Sequence, residues 1–258
     1  MIIEFYKYHG TGNDFVLIDN RSQFFDKNNI ELISKICSRH TGVGADGLIL
    51  LENDNQYDFK MIYFNSDGKQ TSMCGNGGRC VISFAKKLNI IDDKVTFLAI
   101  DGLHEGIIKG ETIKIKMIKV SNIHEVYNGC LLDTGSPHFV KFCPSVNKIN
   151  VLKSGRELRN NKEISEDGVN INFTEIIDNY SIKVRTYERG VENETLSCGT
   201  GVIASALSAY SKGLVDSNRI KISTLGGELF VSFDFKNVYD NIWLEGCLLY
   251  TSDAADEL

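Results

Sequence analysis

The chain has 258 residues, 42% of them hydrophobic, which suffices for one large domain or for two of roughly 120 residues each. Its 28 basic and 34 acidic residues leave a net charge of −6 without a long single-sign run, which argues against a nucleic-acid or anionic-membrane partner and favours a small-molecule ligand. No stretch approaches the roughly 18 apolar residues of a membrane span, and Met1 to Tyr8, interrupted by Glu4 and Lys7, lacks the apolar core of an export signal, so a cytoplasmic protein is expected.

Taken in chain order, short runs rich in β-branched and aromatic residues predict strands at Ile2 to Tyr8, Phe15 to Ile18, Leu48 to Leu51, Phe59 to Phe64 and Val95 to Ile100. A hairpin is expected at Lys109-Gly110 before Thr112 to Ile118, and another at Asp178-Asn179 between Ile171 to Ile177 and Ser181 to Tyr187. Further strands fall at Leu131 to Asp133, His138 to Phe142, Arg219 to Ser223, Glu228 to Phe235 and Asn241 to Leu244. Helical spacing is confined to three segments: Ile30 to Arg39, Gly77 to Leu88 and Gly201 to Lys212.

The last two helices each follow a Cys-Gly-x-Gly segment, Cys74-Gly75-Asn76-Gly77 and Cys198-Gly199-Thr200-Gly201, nearly half the chain apart. The pattern predicts an α+β fold of two pseudo-symmetric halves, each a mostly antiparallel sheet or open barrel around a central helix. The halves are expected at residues 1–120, carrying Cys74, and 121–246, carrying Cys198, with a ligand bound between them.

The seven cysteines are odd in number and scattered, with no CxxC pair and no histidine pair at zinc-ligand spacing, so free thiols and no metal site are expected. Cys37, Cys80, Cys130 and Cys143 read as small core residues. Cys74 and Cys198 read differently. A cysteine at a helix start lies where unpaired N–H groups and the positive end of the dipole favour its thiolate, and the glycines behind it leave those N–H groups open to a carboxylate. A sulfur on each face of one α-carbon would allow one thiolate to remove the α-proton while the opposite thiol delivers another.

With these segments quoted, the chain resembles the diaminopimelate epimerase family through HGTGNDFVLID, GVGADGLILL, FNSDGKQTSMCGNGGRC, DTGSPHFV, GVNINF and RTYERGVENETLSCGTG, over about Met1 to Gly246. The resemblance implies interconversion of LL- and meso-diaminopimelate, towards lysine and peptidoglycan precursors, without pyridoxal phosphate or metal. By position it implies Cys74 and Cys198 as catalytic cysteines, assisted by His138 and Glu188. It implies substrate contacts at Asn13, Asn65, Gly75, Asn76, Asn170, Glu188, Arg189, Gly199 and Thr200, and leaves a homodimer open.

The chain departs from the family pattern at Ser136, where many members carry asparagine, and at Gly47, where some carry glutamine; each loses an amide. After Gly246 the family continues into an apolar strand, whereas residues 247–258 read CLLYTSDAADEL, which resembles translated adapter DNA. This tail is expected to be foreign, costing the second half a closing strand and leaving Cys247 without a role. The rival readings are a proline or hydroxyproline racemase, which carries MCGHG rather than MCGNG, and a non-catalytic redox thiol protein. Isomerases of the phenazine-biosynthesis type lack the cysteine pair.

Overall fold

The chain enters its first sheet through a tight hairpin. Thr11 and Gly12 both take positive φ (51° and 83°) and bring Gly10 opposite Asn13. The turn sets the register of β1 (Tyr6–Gly10) and β2 (Asn13–Asp19), and for that reason the first strand begins later than the run Ile2 to Tyr8 predicts. The computed structural model describes residues 2–247 and 249–252. It divides into two compact units, Met1–Ile115 with Gly246–Leu258, and Lys116–Glu245.

The first unit continues through α1 (Ile30–Cys37), β3 (Gly47–Glu52), β4 (Phe59–Asn65), β5 (Gln70–Thr71), α2 (Gly75–Lys87), β6 (Lys94–Ala99), β7 (Gly102–Lys109) and β8 (Thr112–Lys116). The second comprises β9 (His124–Val126), β10 (Gly129–Asp133), β11 (Pro137–Phe142), α3 (Val151–Arg159), β12 (Asn170–Asp178), β13 (Ser181–Glu188), β14 (Asn193–Thr195), α4 (Gly199–Ser211), β15 (Arg219–Thr224), β16 (Gly227–Phe235) and β17 (Tyr239–Cys247).

The two halves repeat one another pairing by pairing. In the first unit β1/β2 is antiparallel, β2/β3 parallel, β3/β4 and β4/β5 antiparallel, β4/β6 parallel and β6/β7 antiparallel. In the second, β10/β11, β11/β12, β12/β13, β13/β14, β13/β15 and β15/β16 take the same senses in the same order. Each parallel step needs a crossover, and the helices lie in those crossovers. The α+β fold of two sheet halves, each around a central helix, is therefore what the sequence pattern predicts.

Both central helices are buried by composition. In α2, Val81, Ile82, Phe84 and Ala85 are sequestered, with the Phe84 ring 5.0 Å from that of Tyr6 and 6.1 Å from that of Tyr8. In α4, Val202, Ile203, Ala204, Ala206 and Leu207 lose all exposure. A helix apolar around most of its circumference has to sit inside its sheet. Each ends alike, with a left-handed residue just past the last turn, Asn89 after α2 and Gly213 after α4. Each also begins two residues earlier than the apolar stripe predicts, so that Cys74 and Cys198 themselves occupy the N-cap position.

Helix α3 has no counterpart among the predicted elements. Its sequence, VLKSGRELR, carries a mid-helix glycine, which reads as a helix breaker. Packing explains the residue: a Cβ at position 155 would lie 2.4 Å from Tyr187 Cβ. Tyr187 is fully buried in a cluster with Phe139, Val151, Leu158, Ile171 and Phe173.

Residues after Gly246 also differ from expectation. A strand β18 (Leu249–Ser252) pairs antiparallel with β1, Tyr8 opposite Tyr250 and His9 opposite Leu249, so part of the tail forms a strand, and it does so in the first unit. Ladder bonds use main-chain groups, so an extended segment can complete a sheet edge whatever its side chains. The rest of the tail, residues 248 and 253–258, lies outside the described residues. Among the described residues no helix is long and apolar enough to cross a membrane.

Gly155→Ala is expected to destabilise the chain even though alanine is the better helix former. The propensity gain is about 1 kcal/mol, whereas forcing Tyr187 aside costs about 1–3 kcal/mol. A lower urea midpoint with an unchanged slope is the expected result.

Candidate active site in two half-sites

In the first unit the site forms around the start of α2. Cys74 arrives extended (φ −100°, ψ 146°) and its sulfur accepts a hydrogen bond from Gly77 N at 3.2 Å. Sulfur is a weak acceptor where serine, threonine or aspartate would cap better, so the residue is not chosen for helix stability. A thiolate accepts that N–H far better than a thiol.

Asn13 and Asn76 stand beside it. Asn13 Nδ2 donates to Asp46 Oδ2 at 2.7 Å, and a carboxylate can only accept, which fixes the amide with Oδ1 on the other side. That oxygen lies 3.9 Å from Cys74 Sγ and accepts from Asn76 Nδ2 at 3.4 Å. Asp46 is held in turn by Arg39, whose guanidinium also makes two bonds to Asp14 at 2.8 and 3.2 Å. Burial works to raise the Asp14 carboxyl, but Arg39 and Lys7 outweigh it and bring it down to about 2. Asp14 therefore stays ionised, and an ion network braces the strand that presents Asn13.

Two other positions behave differently from a simple amide inventory. Asn65 ends β4 exposed, opposite Gly47. At position 47 a Cβ would come within 2.5 Å of the Phe64 carbonyl oxygen and 2.6 Å of the Tyr63 ring. A longer side chain there would meet backbone and ring that already occupy the space.

In the second unit the site forms at the start of α4. Cys198 is extended (φ −123°, ψ 112°) and nearly buried, and its sulfur lies 3.5 Å from Thr200 Oγ1. Thr200 Oγ1 lies 2.8 Å from His138 Nε2 and 3.2 Å from Ser136 Oγ, and Ser136 Oγ lies 3.0 Å from the same imidazole nitrogen. His138 has no exposure, and burial, reinforced by the Arg189 charge, pushes it down to about 3. The Thr200 hydroxyl is thus within reach of both its ring and the sulfur, and burial favours the neutral imidazole over a cation.

The tautomer is set by a residue that sequence reading missed. Asn172 Nδ2 donates to the Phe139 carbonyl at 3.4 Å, which fixes the amide, and the same nitrogen faces His138 Nδ1 at 3.0 Å. A neutral imidazole that accepts at Nδ1 carries its proton on Nε2. Asn172 Oδ1 accepts from Thr186 Oγ1 at 2.9 Å, and a Cβ on residue 201 would reach that oxygen at 2.3 Å, so the second glycine of the motif makes room for Asn172. Asparagines at both ends of N-I-N were the available signal; only Asn170 carried a family resemblance.

Asn170 itself is committed to the protein. Its Nδ2 donates to Pro137 O at 3.2 Å and Ser136 Oγ at 3.4 Å, and its Oδ1 accepts from Arg189 N at 2.8 Å. Ser136, a position where the chain loses an amide, has a hydroxyl bridging Asn170, His138 and Thr200. Arg189 Nη1 donates to Gly168 O at 3.0 Å, and Glu188 ends β13 half-buried beside it. Burial disfavours the thiolate at four other cysteines: it pushes Cys37 up to about 11 and raises Cys80, Cys130 and Cys143, whereas Cys247 is exposed.

A fold of two repeated sheet-and-helix units defines a class of proteins seen in solved structures. A phenazine biosynthesis protein of the PhzF family from Bacillus anthracis covers 98% of this chain and 98% of its own, with a TM-score of 0.76 at 13% identity. A hydroxyproline epimerase from Agrobacterium vitis matches 97% of this chain and 91% of its own, with a TM-score of 0.73 at 14% identity. At such identities the likeness is one of fold.

Sequence comparison is more particular. The diaminopimelate epimerase family model matches residues 5–122 and 130–240. The diaminopimelate epimerase of Flavobacterium psychrophilum is 51% identical over 248 residues, 95% of this chain and 96% of that protein, and that of Aquifex aeolicus is 41% identical over 263 residues, 95% and 94%. The chain belongs to the diaminopimelate epimerase family.

The buried His138 makes acid stability a direct check on this arrangement. Its folded value lies below the unfolded value of about 6.5, so its contribution is complete above pH 6.5 and is lost progressively as the pH falls towards 3, because the unfolded chain takes up a proton that the folded chain refuses. Thermal unfolding between pH 7 and 4.5 is expected to fall more steeply in wild type than in His138→Gln. Imidazole NMR should show His138 neutral at pH 5 with its proton on Nε2.

Proposed function

We propose that the chain interconverts LL- and meso-diaminopimelate by proton transfer at the α-carbon, with Cys74 and Cys198 as the two exchanging groups. The observation that carries the reading is that each half of the repeat begins its buried central helix on a cysteine followed by Gly-x-Gly. Inversion requires one group for each face of the carbon, and the chain supplies two of the same chemistry, which suits a reaction that runs in both directions.

In one direction a thiolate takes the α-proton and becomes a thiol, while the other thiol gives its proton to the opposite face and becomes the thiolate. In the reverse direction the roles exchange, and the protein returns to its starting protonation state. Main-chain N–H groups at the two helix starts are suited to the substrate α-carboxylate, and Asn13, Asn76 and Arg189 carry the polar groups that a substrate with two ammonium and two carboxylate groups demands. Gly75, Gly199, Thr200, Asn65, Asn170 and Glu188 complete the assignment by family position. His138, acting through Thr200, orients the second half-site.

Deuterium exchange tests the reading. Wild type in D2O should incorporate deuterium at the α-carbon of both diaminopimelate stereoisomers and leave L-proline and trans-4-hydroxy-L-proline untouched. Cys74→Ala and Cys198→Ala should each lower epimerisation by about 100-fold or more, each abolishing proton abstraction from one stereoisomer. Turnover that survives replacement of both cysteines would sink the proposal, and exchange into proline instead would transfer the chain to the racemases.

A further inference from the structure

Arg79, the fifth residue of α2, has no solvent exposure. A guanidinium keeps its proton at any ordinary pH, so a full positive charge is buried there. Its hydrogen bonds go only to neutral oxygens: Nη2 to Asn76 Oδ1 at 2.7 Å and to Thr11 Oγ1 at 3.4 Å, and Nε to Gly75 O at 3.4 Å. Nη1 has no hydrogen-bond partner, and no carboxylate pairs with the group among the described residues. Burying an unpaired charge is strongly unfavourable. A side chain kept under those conditions calls for a nearby anion.

The acids on the strands packed against α2 are committed elsewhere or exposed. Asp14 pairs with Lys7 and Arg39, Asp19 with Arg21 and Glu52 with Lys27, while Glu105 is exposed. Of the imidazoles, His9 accepts from Gly12 N and His104 faces Asp101. The thiols to weigh are Cys80, next to Arg79 in the chain, Cys74, which a path of polar contacts through Asn76 and Asn13 joins to the guanidinium, and Cys247. Cys80 is fully buried and keeps its proton, and Cys247 is exposed at the end of β17. Cys74 is half-buried, with a main-chain N–H already directed at its sulfur.

We propose that Arg79 is a positioning residue for Cys74: its buried charge is the counterion of the Cys74 thiolate, and its bond to Asn76 Oδ1 turns Asn76 Nδ2 into the donor beside Asn13. The inference rests on Cys74 as a proton-transferring group, but its test reads the thiol without turnover. The pH dependence of iodoacetamide alkylation at Cys74, located by peptide mass spectrometry on the full chain, gives the thiolate midpoint directly. Wild type should titrate below the ordinary thiol value of about 8.5, Arg79→Met about one unit or more higher, and Arg79→Lys close to wild type.

An unshifted midpoint in a folded Arg79→Met overturns the proposal and leaves the epimerase reading standing, since that reading is tested separately, by turnover after replacement of both cysteines. Should Arg79→Met not fold, thermal unfolding of wild type against Cys74→Ser between pH 6 and 9 decides instead. A thiol with a depressed folded value contributes stability that is complete above the unfolded value and is lost as the pH falls through the folded one. The advantage of wild type over Cys74→Ser should therefore grow as the pH rises, and a constant difference overturns the proposal.

Discussion

The organising constraint is that each half of the chain starts a buried helix on a sulfur atom. A helix start leaves several N–H groups without partners, and inside a protein they must be satisfied by a cap, by water or by a ligand. Here both N-cap residues are cysteines followed by glycine; the Cys74 sulfur accepts from one of those N–H groups, whereas the Cys198 side chain makes no cap hydrogen bond. At Cys74, protonation of the thiol and binding of an anion are thus tied to the same few backbone atoms. The sheets, crossovers and helix ends serve to bury those two turns in like fashion.

Although the halves repeat in topology, they have diverged in how they treat their cysteine. In the first, Gly77 N bonds the sulfur directly, two asparagines adjoin it and a buried arginine stands behind them. In the second, the sulfur is nearly sequestered and meets a chain of neutral groups, Thr200, His138 and Asn172. One half therefore meets its thiol with a main-chain N–H and an amide that a buried arginine helps to hold, and the other with a chain of oriented hydrogen bonds. A reversible two-group reaction does not require identical surroundings, only that each thiol reach both protonation states.

The departures from the family pattern fit this scheme. Ser136 lost an amide but gained a hydroxyl that touches three groups of the second half-site. Gly47 stands against Tyr63 and Phe64, which already occupy the space a longer side chain would meet. Beyond Gly246, pairing with β1 depends on main-chain groups that any extended segment carries.

The sequence by itself determined the two-half architecture, the central helices and the capping cysteines, because periodicity, glycine placement and a repeated four-residue motif are local signals. It could not place α3, whose glycine looks like a breaker until Tyr187 is packed against it, nor the register of β1, which a two-residue turn decides. It also passed over Arg79, Asn172 and Asp46, since a charge in a helix, an asparagine in a strand and an aspartate in a loop are usually surface residues. Only tertiary structure shows them buried or hydrogen-bonded to the residues that hold the sulfurs. Burial and partner geometry arise between segments distant in the chain, and the physical weight of a polar group depends on them.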